Sequence, residues 1–323
     1  MIFASIFDGS IRYVSISGST KTGMSPFSEI AKIEAIERYC AYTTPRTKVI
    51  FDVGSSLRAN TDVTCYPNCD MDQRQFWVLA MDEREVNKLW IPLDYVKLGE
   101  TTIRSSQSTT VDSTGFAAHF DESVAMENGI REVVERAALR KCWENGLVYF
   151  WEKTNMPCSA RLLIDYLESQ GYIVKCVPLC SYERFNSCLS VVFFKKTQQA
   201  FSWGASADEC IEKALYRCLL EVYAKVVTFE AQSPSNQAKL LASTGKATAE
   251  LESKFISCTS PIAFGKGQDN LLPNHKLSPI YKLDRGNTFS DCLSLSVIQV
   301  VIPNLYSHEI DKGSSTDATF PFV

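Results

Sequence analysis

The first twenty residues hold two short runs of β-forming side chains split by Asp8-Gly9, a pair that favours a tight turn, and they predict a β-hairpin. The period then changes. Ser25-Pro26 supplies an N-cap with proline at the first helical position. Ile30, Ile33, Ile36 and Tyr39-Cys40 recur on one face as far as Tyr42, and Pro45 follows, so the spacing predicts a helix with a charged opposite face. KVIFDVG, RQFWVLAM and KLWIPL, between residues 48 and 96, read as strands; residues 101–115, dense in Ser and Thr, read as a polar loop. Helical spacing returns from Asp121 toward Trp151 through Ile130, Val133, Val134, Ala137 and Ala138, and again from Ala160 to about Gln170, closed by Gly171. GYIVKCVPLC and SCLSVVFF form a predicted hairpin about the polar segment SYERFN. QQAFSWGAS leads to a third amphipathic helix from Asp208 to about Glu230. Residues 231–250 begin as a polar, loop-like excursion, SLSVIQVVIP is a further buried strand, and the last twenty residues read as an irregular tail.

Composition narrows the class. A chain of 323 residues with 45% hydrophobic and 22% charged residues is globular and long enough for one large domain or two ordinary ones. Lys and Arg number 33 against 37 Asp and Glu, so no basic field exists to draw nucleic acid or an anionic membrane. Apolar runs such as LSVVFF are strand-sized, well short of the roughly 20 residues of a membrane helix, and Asp8 interrupts any secretory signal. The expectation is a reduced, cytoplasmic protein. Twelve cysteines stand out. Cys176 and Cys180 lie in a strand-like context that predicts core packing, whereas the Tyr-Pro-Asn turn between Cys65 and Cys69 leaves metal binding open. His119, His275 and His308 are the only histidines, none in a catalytic context for a cysteine nucleophile.

The informative charges are carboxylates on helices. Glu34-Ala-Ile-Glu37-Arg38 lies in the first long helix and Glu132-Val-Val-Glu135-Arg136 in the second; the third carries Glu212 and Glu221, the latter within the apolar stretch LYRCLLEVYA. Acids three apart share a helix face, so each pair offers two hard oxygen ligands in one direction beside an arginine. A solvated helix face accounts for any single Glu-x-x-Glu-Arg, but recurrence along the edge of an apolar stripe points elsewhere. Converging helices would make a nest of acids tolerable only with divalent cations, and Mg²⁺ with a nucleotide is the natural occupant, leaving Arg38, Arg136 and Lys21 for phosphate. Gly18-Ser-Thr-Lys21-Thr22 lacks the glycine frame of a P-loop, and no dinucleotide-binding glycine motif follows a strand.

Three stretches resemble the YcaO family of ATP-dependent enzymes that modify peptide backbones. GSTKTGMSPFSEIAKIEAIERYCA (18–41) is similar to the family's Gly-Lys-Gly loop and Glu-Ala-Leu-Glu-Arg-Tyr helix; STGFAAHFDESVAMENGIREVVERAA (113–138) to its Ser-Asn-Gly loop and Glu-x-x-Glu-Arg helix; and FSWGASADECIEKALYRCLLEVYA (201–224) to its Ala-Leu-x-Arg-Ala-Leu-x-Glu helix. KLWIPLDYV and VIQVVIPNLYSHEI resemble strands that lie between and after these segments. Thr114, His119, Ala137, Ile30 and Ala224 depart from the residues usual at their positions.

The resemblance implies an α+β fold, mixed and antiparallel sheets packed with long helices around an ATP–Mg²⁺ site, in one domain over residues 1–323. It also implies that Glu34, Glu37, Glu132, Glu135 and Glu221 hold magnesium. Lys21, Ser113, Gly115 and Arg136 would serve the nucleotide, and Glu132, Glu135, Glu221 and Arg136 would act in catalysis. The implied reaction is cyclodehydration of a ribosomally made precursor peptide to thiazoline or oxazoline rings, as in azole-containing bacteriocins. Thioamide or amidine formation, or a non-catalytic subunit, are the alternatives. Implied partners are the precursor peptide, a leader-binding protein (ubiquitin-activating-enzyme-like, or carrying a peptide-recognition element) and a flavin dehydrogenase. The short end Thr-Phe-Pro-Phe-Val, with Pro321, is an abbreviated form of the proline-rich tail of azoline-forming members.

Overall fold

The computed structural model describes residues 2–7, 10–15, 33, 36–60, 64–66, 69–96, 114–145, 149–242, 249, 260–264, 274–277, 279–303 and 305. They fall into two compact units. Residues 1–133 and 277–315 make the first, and residues 134–276 and 316–323 the second.

In the first unit, β1 (Ile2–Phe7) and β2 (Ser10–Ser15) form the hairpin expected about Asp8-Gly9, with Phe7 opposite Ser10. A separate seven-stranded sheet follows. Its path runs β4 (Thr64–Cys65), β6 (Lys88–Pro92), β5 (Arg74–Asp82), β14 (Tyr281–Asp284), β15 (Ser296–Val301), β7 (Phe116–His119), and β3 (Val49–Val53) also pairs with β5. β3 takes the Arg74–Val78 stretch of β5 and β14 takes Met81–Asp82, while β6 pairs with Trp77–Met81, so one long strand serves three partners. The three strand segments expected between residues 48 and 96 are present. The helix α2 (Gly54–Asn60) and the two-residue β4 carry too little periodicity to have been read from sequence. One core gathers Val78, Ala80, Leu89, Ile91, Leu283 and Val301.

The first long helix is described at residue 33 and at 36–41, here α1; its expected start at Ser25-Pro26 lies outside the described residues. Ile36 and Cys40 are fully buried against Ala118, Leu295 and Val297. Tyr39, expected on the same face, is instead exposed, because the turn between it and Cys40 carries it past the apolar stripe.

The C-terminus of α1 is held from 245 residues away along the chain. Arg285, fully buried, donates from Nη2 to the carbonyls of Cys40, Ala41 and Thr43 at 3.3, 3.0 and 3.1 Å, and its guanidinium lies 4.8 Å from the Phe116 ring centroid. A cation at a helix C-terminus meets carbonyls that have no intrahelical partner and the negative end of the helix dipole. Asn287 Nδ2 adds a contact of 3.1 Å to Cys40 Sγ. Asn287 also exchanges backbone and side-chain hydrogen bonds with Ser290 at the start of a short helix, Thr288–Cys292, whose Asp291 pairs with Arg46.

In the second unit, a four-stranded sheet has the order β11 (Ala200–Asp208), β10 (Phe185–Phe194), β9 (Tyr172–Tyr182), β13 (Asn274–His275); a parallel pair joins β8 (Tyr149–Trp151) to β12 (Ser260–Ile262). The β9–β10 hairpin turns over Glu183-Arg184 alone, not over the whole of SYERFN: Tyr182 and Phe185 are both buried, which extends the strands into the polar segment, and Glu183 takes φ 49°. Helices α4 (Cys158–Ser169) and α5 (Ile211–Glu230) cover the sheet, burying Ile164, Leu167, Leu215, Leu219, Val222 and Val226. α5 begins three residues later than expected because β11 runs through Asp208. Residues 234–242, expected to be loop-like, are helical and largely exposed.

Helix α3 (Glu122–Asn145) belongs to both units, the division falling between Val133 and Val134. It stops before Trp151, which lies in β8; Asn145-Gly146 supplies the stop signal. Ile130, Val133, Val134, Ala137 and Ala138 are buried as their spacing predicts. Its first half lies against the first unit's sheet at Gly129, where an added Cβ would stand 2.6 Å from Val300 Cγ2 and 2.9 Å from the carbonyl oxygen of Gly115.

Two stability measurements check this account. Arg285→Met keeps bulk but removes the donors to three carbonyls, and about 2–4 kcal/mol of unfolding free energy should be lost in urea denaturation. The exposed Lys195→Met should stay within about 0.5 kcal/mol. Gly129→Ala, which helix propensity alone would make stabilising by about 1 kcal/mol, should instead destabilise by about 1–3 kcal/mol because the backbone of Gly115 blocks it.

Candidate functional site

The predicted site residues fall on α1, the β7–α3 segment and α5. On α1, Glu37 is half-buried and follows the fully buried Ile36; Lys21, Glu34 and Ser113 lie outside the described residues. In the segment ahead of α3, Thr114 is buried and Gly115 adopts φ 80°, with its carbonyl accepting the Val300 N–H at 2.8 Å. The bare helix face at Gly129 lets α3 settle on this turn. His119 ends β7, and its Nδ1 accepts the Asp121 N–H at 3.0 Å, a structural bond at the entry to α3. Asp121 then caps that helix, its Oδ1 accepting from the Ser123 N–H at 2.8 Å and Oγ at 2.6 Å, and the two Ser123 bonds hold its carboxyl below the usual carboxylate range.

Glu132, Glu135 and Arg136 are half-buried on α3, each next to fully buried neighbours. Glu132 comes three residues after Gly129, next to the side of the helix that meets the Gly115 turn, and Glu135, three residues further on, shares a face with Glu132 but is turned about 120° from Gly129. Glu127 and Arg131, 3.2 Å apart, form a separate ion pair on the preceding turn.

On α5, Glu221 is half-buried while Glu212 is exposed in the first turn, so Glu212 does not aim inward as its placement on the helix had implied. The reason is position: Glu212 precedes the buried stripe that begins at Ala214. Glu221 Oε2 accepts the Ala205 N–H of β11 at 3.1 Å, and Oε1 lies 2.7 Å from Lys225 Nζ. Gly204 makes this approach possible, since a Cβ there would stand 2.6 Å from the Cys218 carbonyl oxygen and 3.0 Å from Glu221 Oε2.

Three polar residues around Glu221 were not singled out from the sequence as site residues. Arg217, one turn before it, pairs with the buried Asp208 at 2.9 Å, and Asp208 Oδ1 accepts the Cys210 N–H at 3.1 Å. Lys225, one turn after it, donates to the Trp203 carbonyl at 2.6 Å and lies 4.5 Å from that indole's centroid. Arg217 sits at the arginine of Ala-Leu-x-Arg-Ala-Leu-x-Glu and was legible there; Lys225 belongs to no motif.

Among the described residues, the buried and half-buried cysteines in the two cores serve packing. Cys69 Sγ donates to the Tyr66 carbonyl at 2.9 Å, Cys65 Sγ to that of Gly54 at 3.8 Å, and burial pushes the Cys69 thiol up to about 12. Cys176, Cys188 and Cys218 are buried in one core, where Ser190 Oγ lies 3.3 Å from Cys176 Sγ and 2.7 Å from Cys218 Sγ. A shallow groove between α4 and α5, lined by Leu162, Leu163, Tyr166, Tyr216 and Tyr223 among others, contains none of the predicted site residues.

Among the described residues no three His, Cys, Asp or Glu side chains stand close enough to hold a metal ion, and no helix is long and apolar enough to cross a membrane. The donor chemistry nevertheless suits Mg²⁺. Glu37, Glu132, Glu135 and Glu221 are half-buried carboxylates, hard oxygen donors of the kind Mg²⁺ takes.

Comparison with known proteins bears on the fold and the family. The fold matches YcaO from Methanopyrus kandleri bound with AMPPCP and Mg²⁺, with a TM-score of 0.66 and 17% identity over 96% of this chain and 83% of that one. It matches the heterocyclase TruD with a TM-score of 0.63 and 15% identity over 86% of this chain, which spans only 45% of TruD. The Escherichia coli microcin synthetase McbBCD complex gives a TM-score of 0.54 and 13% identity over 84% of this chain and 78% of the matched one. Identities this low carry the fold alone. No curated protein matches the sequence. The sequence model of YcaO cyclodehydratases, described as ATP- and Mg²⁺-binding, matches residues 30–264, and on this match the chain belongs to the YcaO family.

Proposed function

We propose that the chain is an ATP- and Mg²⁺-dependent cyclodehydratase that activates backbone amides of a ribosomally made precursor peptide and forms thiazoline or oxazoline rings. The observation that carries this reading is the retention of half-buried Glu37, Glu132, Glu135 and Glu221 at the motif positions of a YcaO chain. In the reaction a Cys, Ser or Thr side chain of the substrate adds to the preceding carbonyl carbon, two protons are given up, and the carbonyl oxygen leaves in inorganic phosphate as ATP becomes ADP, so that the peptide is lighter by one water. ATP supplies the γ-phosphoryl that makes this oxygen a leaving group, and Mg²⁺ spreads the charge that develops.

The residues divide the work by chemistry. Glu34, Glu37, Glu132, Glu135 and Glu221 offer oxygen ligands to the metal. Arg136 presents a permanently charged planar donor suited to phosphate oxygens, and Lys21 a point charge for the same purpose. Ser113 and Gly115 belong to the nucleotide loop, where a residue without Cβ lets backbone approach phosphate. Glu132, Glu135, Glu221 and Arg136 are the proposed catalytic set. The partners proposed are the precursor peptide, a leader-binding protein that delivers it and a flavin dehydrogenase that oxidises the rings, in the cytoplasm. The E. coli microcin synthetase complex, solved with pro-MccB17 bound, supports a peptide substrate met within an assembly.

Purified protein should release phosphate from ATP only when precursor peptide is present. Glu132→Gln and Glu221→Gln should each lower that rate by about 10²-fold or more. Unchanged rates in both variants would overturn the reading. Mass spectrometry of the peptide then names the product: loss of water marks a ring or an amidine, and exchange of oxygen for sulfur marks a thioamide.

A further inference from the structure

We infer that Lys225 is the resident counter-ion of Glu221, that a divalent cation displaces it from the carboxylate, and that this exchange moves a positive charge relative to the face of Trp203. The inference rests on the proposed metal role of Glu221.

Both oxygens of Glu221 are occupied, one by the Ala205 N–H at 3.1 Å and the other by the Lys225 ammonium at 2.7 Å. The two partners differ in how readily they yield. Ala205 is fixed in β11, where it pairs with Leu189 across the ladder to β10. Lys225 is a flexible side chain 37% exposed, facing a carboxylate 41% exposed, and an exposed i,i+4 pair of this kind contributes little stability. A divalent ion brings twice the charge and takes carboxylate oxygen directly, so it replaces the ammonium and not the backbone donor.

Lys225 keeps a second anchor when the carboxylate leaves it. Its Nζ also donates to the Trp203 carbonyl at 2.6 Å and lies 4.5 Å from the indole centroid. The cation therefore sits in a defined place over an aromatic face, and a change in its position alters the field on the ring. The other cation beside Glu221 on this helix, Arg217, is engaged by the buried Asp208 at 2.9 Å. That leaves Lys225 as the charge that Glu221 exchanges.

The test is Mn²⁺ titration of the full chain with AMPPCP present, following free Mn²⁺ by electron paramagnetic resonance and tryptophan emission in parallel. Lys225→Met and Lys225→Gln should bind Mn²⁺ about two- to fivefold more tightly than wild type, while Lys225→Arg stays near wild type. Wild-type emission should change with the same midpoint as metal binding, and that change should vanish in Trp203→Phe. Equal or weaker binding by both neutral variants, or emission insensitive to metal, overturns the exchange. If Glu221→Gln binds Mn²⁺ as tightly as wild type, the metal role of Glu221 fails together with this inference. If Glu221→Gln loses metal and the lysine variants gain nothing, only the exchange is overturned.

Discussion

The end of α1, the helix that carries Glu37, is fixed by a group 245 residues away along the chain, Arg285. Its guanidinium lies fully buried, joined to three carbonyls at the end of the helix and stacked near Phe116. Such a burial is expensive unless the cation is met by well-placed acceptors, and the end of a helix provides several at once. The arrangement connects β14 to α1, and through Asn287 and Ser290 to the short helix that follows β14. Glu37 stands one turn from this anchor and so has its backbone position set by it.

The absence of a side chain does comparable work at two other places. Gly129 lets α3 lie within contact of the Gly115 carbonyl, and Gly204 lets Glu221 reach the Ala205 N–H. In both cases a helix carrying acids approaches backbone closely enough that one methyl group would force a shift. Close packing here sets where a carboxylate sits; the ion pairs around it, Glu221 with Lys225 and Arg217 with Asp208, then decide which oxygens are available. The two pairs differ in burial: Glu221 and Lys225 are both half-buried, whereas the carboxylate of Asp208 is buried.

The elements with strong local signals were legible. The pairing of β1 with β2, the buried stripe of α3, the first two long strands of the second unit and the amphipathic pattern of α5 each depend on residues close together in the chain. Where local signals were weak or misleading, tertiary packing decided. Tyr182 and Phe185 pulled polar SYERFN into strands because both found buried places, and Glu212 stayed exposed because the core stripe of α5 starts at Ala214. The recurring Glu-x-x-Glu-Arg pattern identified most of the candidate site, since acids three apart on a helix must share a face whatever surrounds them.

By itself, then, the sequence determined the family and the type of most elements and marked the candidate carboxylates, because motif spacing and hydrophobic period are properties of neighbouring residues. The tertiary structure alone decided what each of those groups touches. Arg285 and Cys40 are 245 residues apart, and nothing near either predicts that one closes the helix of the other. Lys225 and Trp203 meet only because α5 folds back on β11 across Gly204. Contacts of this kind arise from the path of the chain, and they set the partners and the freedom of residues whose identity the motifs had already marked.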